Sequence, residues 1–295
     1  MKITITGSLG NISRPLTASL VAAGHTVTVI SSKSARQVEI EKLGAKAAIG
    51  SVEDPVFLKE AFAGADAVYT MVPATLGEDV IASMVNAGRN YADAIMSNDV
   101  KRVVMLSSVG ADKDAPTGPI RGLHLVEEIF KGLNDVSVTF LRPGWFYINF
   151  YQDIPLIKQA GILGSCYAAS TEIPMVHPSD VAVVAAEELQ RMGKGKNVRY
   201  VVADNRTAGE ATGLIGRAIG KPELQWIEFS EQDLTNGMTE AGLPLNTAQL
   251  YTEMAVGIKT GIIGEDYIKQ GKPIAGSIKL EDFVKEFAEG FSSHL

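Results

Sequence analysis

Short apolar, β-branched runs alternate with amphipathic runs through the first half of the chain, and this alternation restricts the fold more than any other feature. Strand-like KITIT (2–6), HTVTVIS (25–31), AKAAIG (45–50), DAVYTMVP (66–73), VKRVVMLSS (100–108) and VSVTFLRP (136–143) are separated by helical runs at 14–24, 34–44, 54–65, 77–98 and 124–134. Six strands joined through helices pair in parallel with right-handed crossovers. A doubly wound parallel α/β sheet is the economical expectation.

After Pro143 the rhythm changes. GWFYINFY (144–151) is aromatic, and turn residues become frequent. HPSDVAVVAAEELQRMG (177–193) has helical spacing with Ser179 placed to cap it, and NVRYVVAD (197–204) reads as a buried strand returning to the sheet. Beyond about 205 the pattern is mixed. The expected division is a sheet domain over 1–150, to which 177–204 returns, and a smaller α+β lobe over 151–295.

The chain has 295 residues, 46% hydrophobic and 21% charged, enough to bury a core without staples, and its one cysteine excludes an internal disulfide framework. A net charge of −7 argues against broad nucleic-acid binding. No apolar run approaches the roughly 20 residues that span a bilayer. Met1 leads straight into the first strand, so a cytoplasmic protein without a leader is expected.

TITGSLGNISRPL (4–16) carries the chemistry of the first crossover. In a dinucleotide-binding turn the first glycine makes the bend, the second lets backbone approach the diphosphate, and the third lets the helix pack close to the strand. Gly7 and Gly10 fill the first two places, and Ser13 stands in the third. Only packing is touched by that replacement, and serine is small. Pro15 fits near a helix start, so the helix is expected to begin at Asn11 or slightly later. The free amides there make a phosphate site. At the end of the second strand ISSKSAR (30–36) has no acid to bind ribose hydroxyls, whereas Ser31, Ser32, Lys33 and Arg36 suit a 2′-phosphate, with Arg14 able to reach the same region. NADP(H) is therefore expected over NAD(H). For Lys33 alone, a solvated helix start is the plainer reading.

With these motifs in place, TGSLGN, VYTMVPA (68–74), RVVMLSSVGA (102–111), HLVEE (124–128) and VTFLRPGWFYIN (138–149) together resemble the NmrA-like, atypical short-chain dehydrogenase/reductase family over about residues 1–190. The resemblance implies a Rossmann domain with a small C-terminal substrate lobe. It also implies relatives that are NAD(P)H-dependent quinone oxidoreductases, triphenylmethane-dye reductases or redox-sensing regulators. It places Gly7, Gly10, Asn11 and Ile12 at the diphosphate, Arg36 at the adenosine phosphate, and Val52 on the adenine. Val72 and Pro73 then line the middle of the cofactor. Ser107 and Ser108 lie near the nicotinamide ribose, and Pro143 and Gly144 border the nicotinamide.

Short-chain dehydrogenases use a Tyr-x-x-x-Lys pair on the helix after the fifth strand, the lysine lowering the tyrosine pKa for proton exchange. Aligned through Glu128, this helix has Ile120 and His124 at those places. His124 is the remaining proton-donor candidate, since histidine titrates near neutrality; alternatively it binds the ribose or caps a local network. Hydride transfer needs no side-chain acid, because the cofactor carries that chemistry. A quinone-like or conjugated, electron-poor small molecule could take the hydride and collect its proton from water or His124. Trp145, Phe146, Tyr147, Phe150 and Tyr151 could stack on a flat acceptor or simply join the two lobes, with Phe146 and Asn149 the best pocket residues. The four histidines (25, 124, 177, 294) and Cys166 show no metal-ligand spacing; His177 reads as a local cap and Cys166 as a small buried residue. The competing expectation is an NADP(H)-binding redox sensor without turnover, acting through a protein partner; a homodimer is compatible with either. An epimerase or dehydratase is disfavoured by Ile120.

Overall fold

Parallel strands buried on both faces need apolar side chains on both, and the central strands supply them in alternation. The computed structural model describes all residues except 74–78, 192, 294 and 295, so Ala74, the start of the helical run from 77, and His294 lie outside the described residues. The alternating half comprises β1 (Lys2–Ile5), α1 (Ser13–Ala22), β2 (Thr26–Ser31), α2 (Gln37–Lys42), β3 (Lys46–Ile49), α3 (Pro55–Ala61), β4 (Ala67–Thr70), α4 (Val80–Ser97), β5 (Arg102–Leu106), α5 (Ile120–Lys131) and β6 (Ser137–Pro143). Then follow β7 (Trp145–Phe146), α6 (Ile154–Ala160), β8 (Ile162–Ser165), β9 (Glu172–Val176), α7 (Pro178–Gln190), β10 (Lys196–Val201) and β11 (Asp204–Thr207). The remainder is α8 (Ala208–Ala218), β12 (Gln225–Glu228), α9 (Glu231–Glu240), α10 (Leu245–Lys259), α11 (Glu265–Lys269) and α12 (Leu280–Ser293).

The main sheet is parallel throughout, in the order β10-β6-β5-β4-β1-β2-β3. The expected doubly wound α/β fold is therefore present. The chain moves outward from β1 through β2 to β3, then crosses to β4 on the other side of β1, so the direction of winding reverses between β1 and β4. Open α/β sheets form their ligand crevice at the carboxyl ends of the two strands flanking such a reversal. One face of the sheet, with Ile3, Ile5, Tyr69, Val104 and Leu141, is covered by Leu16 and Leu20 of α1 and Val181, Ala185 and Leu189 of α7. The other face, with Val68, Val103, Met105, Val138 and Phe140, is covered by Tyr91 and Ile95 of α4 and Val126 and Phe130 of α5. Each fully buried Val, Leu, Ile or Phe side chain among them contributes about 2 kcal/mol.

Three local readings are corrected. The helix expected over 124–134 starts one turn earlier, at Ile120, because Ile120 itself packs with Val109, Ala111 and Val202 in a separate apolar cluster. The run 34–44 opens with a 3-10 turn at Ser34–Arg36 before α2. Ser179 does not cap α7: Pro178 occupies the first helical position, and the Ser179 amide donates to Nδ1 of His177 at 3.1 Å.

β10 pairs with β6, Val198 opposite Phe140. Two smaller sheets, β11-β9-β7 and β12-β8, belong to the C-terminal region. There the aromatic run folds into β7 and a 3-10 segment, Tyr147–Asp153, that meets the apolar stripe of α12. Tyr147 stacks on Phe283 with centroids 5.5 Å apart, Tyr151 stacks on Phe287 at 5.4 Å, and Trp145 meets Phe150 edge-on at 4.5 Å. Tyr147 and Phe150 are buried, so these two rings are core joining the segment to α12 rather than stacking surface.

The Asp153 side chain, at the end of that segment, has no charged or hydrogen-bonding group acting on it among the described residues, and burial pushes its carboxyl up to about 7. A carboxyl whose folded pKa is raised binds its proton more tightly folded than unfolded, so it costs stability progressively as pH rises from about 4 to about 7. Asp153→Asn is expected to raise unfolding stability by about 2 kcal/mol at pH 8 and to change it little at pH 4, read from urea unfolding at the two pH values.

Candidate functional site

The end of β1 is tied to the end of β4 before the chain turns: the Thr6 amide donates to the Tyr69 carbonyl at 3.1 Å, and the Met71 amide donates to Thr6 Oγ1 at 2.8 Å. Gly7 then takes a φ of +88°, and a Cβ there would lie 2.6 Å from Met71 Cε and 2.9 Å from Ser13 Oγ. Ser8 is also left-handed, its amide donating to Ile30 and its hydroxyl to Ser31 Oγ at 2.9 Å. The Gly10 amide closes the turn on the Gly7 carbonyl at 3.2 Å. Ser13 is buried, and its hydroxyl donates to the Thr6 carbonyl at 3.0 Å. A glycine would let helix and strand approach; this serine approaches and also bonds the strand end. α1 therefore starts at Ser13, with no side-chain cap and no acid in its first turn. Gly10 and Asn11 are exposed there, while the Ile12 side chain is buried in the core, leaving only its backbone for a ligand. A turn with bare glycine backbone and an uncapped helix start fits the diphosphate of a dinucleotide.

At the neighbouring strand end, Ser31 is buried, and its hydroxyl accepts from Ser8 Oγ and from the Lys33 amide at 3.2 Å. It thus pins the glycine turn to β2, whereas Ser32 is exposed. Residues 30–36 carry no acid, but α2 brings one alongside their basic side chains. Glu39 Oε2 accepts from Arg14 at 2.6 Å and from Arg36 at 2.8 Å. Those two bonds, Arg14 first, hold the Glu39 carboxyl below the usual glutamate range. Val52 is half-buried, its carbonyl accepting from Asn90 Nδ2 at 3.2 Å.

At the ends of β4, β5 and β6, Val72 is buried and Pro73 partly so. The Thr70 hydroxyl is buried without a partner among the described residues. Ser107 is buried, and its hydroxyl donates to Glu127 Oε1 at 2.6 Å. Glu127 receives both Nε and Nη2 of Arg142, at 3.0 and 2.7 Å. Arg142 Nη1 donates to the Tyr200 hydroxyl at 3.2 Å, and Tyr200 donates in turn to Asp266 on α11. Burial works against the Arg142 charge, but the forked bond to Glu127 outweighs it and holds the guanidinium above its ordinary pKa. Sequence reading passed over Glu127 and Arg142. The available signal was an arginine inside VTFLRP, since a charge in a wholly buried strand requires a partner.

His124 is buried one turn into α5, and its Nδ1 lies 2.9 Å from the Ala111 carbonyl. A carbonyl only accepts, so Nδ1 carries a proton and Nε2 is the nitrogen left for other chemistry. Pro143 is buried at the end of β6, its carbonyl accepting from the Val109 amide at 3.0 Å. The bare side of Gly144 is taken by backbone of β9, since a Cβ would lie 2.5 Å from the Pro174 carbonyl oxygen. Phe146 is partly buried against the sheet core, and Asn149 is partly exposed. The structure thus gathers the residues expected to bind the cofactor along the carboxyl ends of the parallel strands.

Other groups lie apart. His25 pairs with Gln190, and Cys166 is buried in the C-terminal core, where burial raises its thiol pKa. Two open cavities of about 360 and 350 Å³ run along α10, sharing Gln249 and Glu253, and neither is lined by an expected site residue. Among the described residues no cluster of three or more His, Cys, Asp or Glu could hold a metal, and no helix is long and apolar enough to cross a membrane.

This geometry defines a nucleotide-binding Rossmann-fold protein. The NAD(P)H-binding family model matches residues 7–192, and the chain belongs to that family. It is 23% identical over 255 residues to the NAD(P)H azoreductase of Xenophilus azovorans, covering 85% of both chains. In fold it is similar to the NADPH-dependent quinone oxidoreductase of Escherichia coli solved with NADPH, at a TM-score of 0.82, 22% identity, and 97% and 99% coverage of the two chains. Triphenylmethane reductase of Citrobacter sp. superposes with a TM-score of 0.81 at 18% identity, covering 98% of this chain and all of the other, 100%.

Glu127 and Glu128 are neighbours in sequence but opposite in setting: Glu127 is buried against Arg142, and Glu128 is 51% exposed beside Lys131. Glu127→Gln is expected to cost about 3–5 kcal/mol by stranding a buried guanidinium. Glu128→Gln should cost under about 1 kcal/mol. Urea midpoints of the two variants measure the difference directly.

Proposed function

We propose that the chain is an NADPH-dependent reductase that passes hydride to a quinone-like or otherwise conjugated, electron-poor small molecule, without a tyrosine–lysine pair. The observation that carries this reading is the glycine turn at the reversal between β1 and β4, pinned by Ser13 to the Thr6 carbonyl and opening on an uncapped helix start. The azoreductase and quinone oxidoreductase relatives support the reaction class.

NADPH, when bound, supplies the hydride. Backbone at Gly7, Gly10, Asn11 and Ile12 holds the diphosphate, and Arg36, Arg14 and Ser32 face the 2′-phosphate. Val52 packs on the adenine, Val72 and Pro73 line the middle of the cleft, and Pro143 and Ser107 back the nicotinamide end. In this reading residues 1–150, with 177–204, carry the cofactor, and the lobe over 151–295 covers the acceptor. Phe146 and Asn149 contact that acceptor, and flat, apolar contact from Phe146 favours a conjugated ring. His124, with Nδ1 committed to Ala111, offers Nε2 as the atom that hands a proton to the reduced acceptor.

The test is NADPH oxidation against a panel of quinones and azo dyes, followed at the nicotinamide absorbance. Turnover with at least one acceptor is expected, and silence across the panel with tight NADPH binding would instead support a sensor. His124→Gln should lower kcat by about a hundredfold while leaving NADPH affinity unchanged. An unchanged kcat would remove His124 from the reaction.

A further inference from the structure

Arg14, at the start of α1, and Arg36, in the turn before α2, meet at one oxygen of Glu39, at 2.6 and 2.8 Å. The three side chains come from separate elements and are 41–48% exposed, so a ligand can reach them. They lie beside the glycine turn, because the Ser8–Ser31 bond fixes that turn to the strand end from which Arg36 follows. Glu39 sits in the first turn of α2, where the helix dipole favours a carboxylate. The cluster therefore carries two positive charges and one negative charge, with the negative one already between the positive ones.

We propose that Glu39 is a built-in competitor for the cofactor's 2′-phosphate and sets the balance between NADP(H) and NAD(H). The proposal rests on the reading of this region as the adenosine end of a cofactor site. A phosphate monoester carries about −1.5 to −2 charges at neutral pH and is best held by the same forked guanidinium donors that Glu39 now occupies. To bond both arginines it must displace the carboxylate or lie beside it against like charge. A cofactor without that phosphate meets no such opposition, and Glu39 can accept its free ribose hydroxyl, as an acid near the second strand does in NAD sites. One residue thus weakens one cofactor and assists the other. The carboxylate stays ionised well below neutrality, so the competition persists throughout the physiological pH range.

Titration calorimetry of the full chain with NADP⁺, NAD⁺ and 2′,5′-ADP tests this. Glu39→Gln keeps the side-chain shape and removes the charge; Glu39→Ala removes both. Both variants are expected to bind NADP⁺ and 2′,5′-ADP about tenfold more tightly at low salt, with no tightening for NAD⁺. The gain should shrink between about 50 mM and about 500 mM salt, as an exposed charge effect must. NADP⁺ affinity unchanged in both variants, or NAD⁺ affinity rising equally, would overturn the role of Glu39 while leaving the cofactor reading intact. A wild-type chain that binds neither nucleotide would overturn both.

Discussion

Parallel pairing is the constraint from which the rest follows. Strands that all run one way must be joined by crossovers, so every strand-to-helix loop emerges at the same edge of the sheet. That is why Gly7, Ser31, Val72, Ser107 and Pro143, spread over nearly half the chain, share one edge. The reversal between β1 and β4 then opens a crevice at the middle of that edge. The Ser13–Thr6 hydrogen bond and the Ser8–Ser31 hydrogen bond fix the turn that borders it.

Charge is used in two distinct ways around this edge. Beside the glycine turn, Arg14, Arg36 and Glu39 are exposed, so water and salt screen them and a ligand can rearrange them at small cost. On the other side, Ser107, Glu127, Arg142 and Tyr200 are buried in a continuous network that reaches Asp266 of the C-terminal region. Such a network gives little net stability but tolerates only one arrangement, since any broken member strands a charge. It holds the ends of β5 and β6 and the start of α11 in one register. The first cluster can rearrange around a ligand, and the second holds its part of the edge rigid.

Much of this was legible in the linear chain, residue by residue. Strand and helix periods located the elements of the first half, and Gly24 ends α1 left-handed at a φ of +81°, as a capping glycine should. Gly7 and Gly10 announced the turn, and the family motifs arranged the remaining candidates along the cleft. The hidden part consisted of long-range pairs. Nothing near Ser13 in the sequence says that its hydroxyl reaches the Thr6 carbonyl, because that distance depends on how α1 lies against β1. His177 caps α7 as its place before Pro178 suggested, but the Ser179 cap was a misreading, because Pro178 at the first helical position starts the helix two residues earlier.

Periodicity and glycine placement are local properties, so the chain written as letters was enough to specify a doubly wound sheet and a phosphate-type turn after its first strand. Which charges meet is a property of three dimensions. Glu39 closing on two arginines, 25 and 3 residues away in the chain, and Glu127 closing on Arg142, 15 residues away, depend on helices packed at particular heights on the sheet. Helix docking is set by the summed fit of many apolar side chains, Leu16, Leu20, Val126 and Phe130 among them, and no short window of sequence contains that sum.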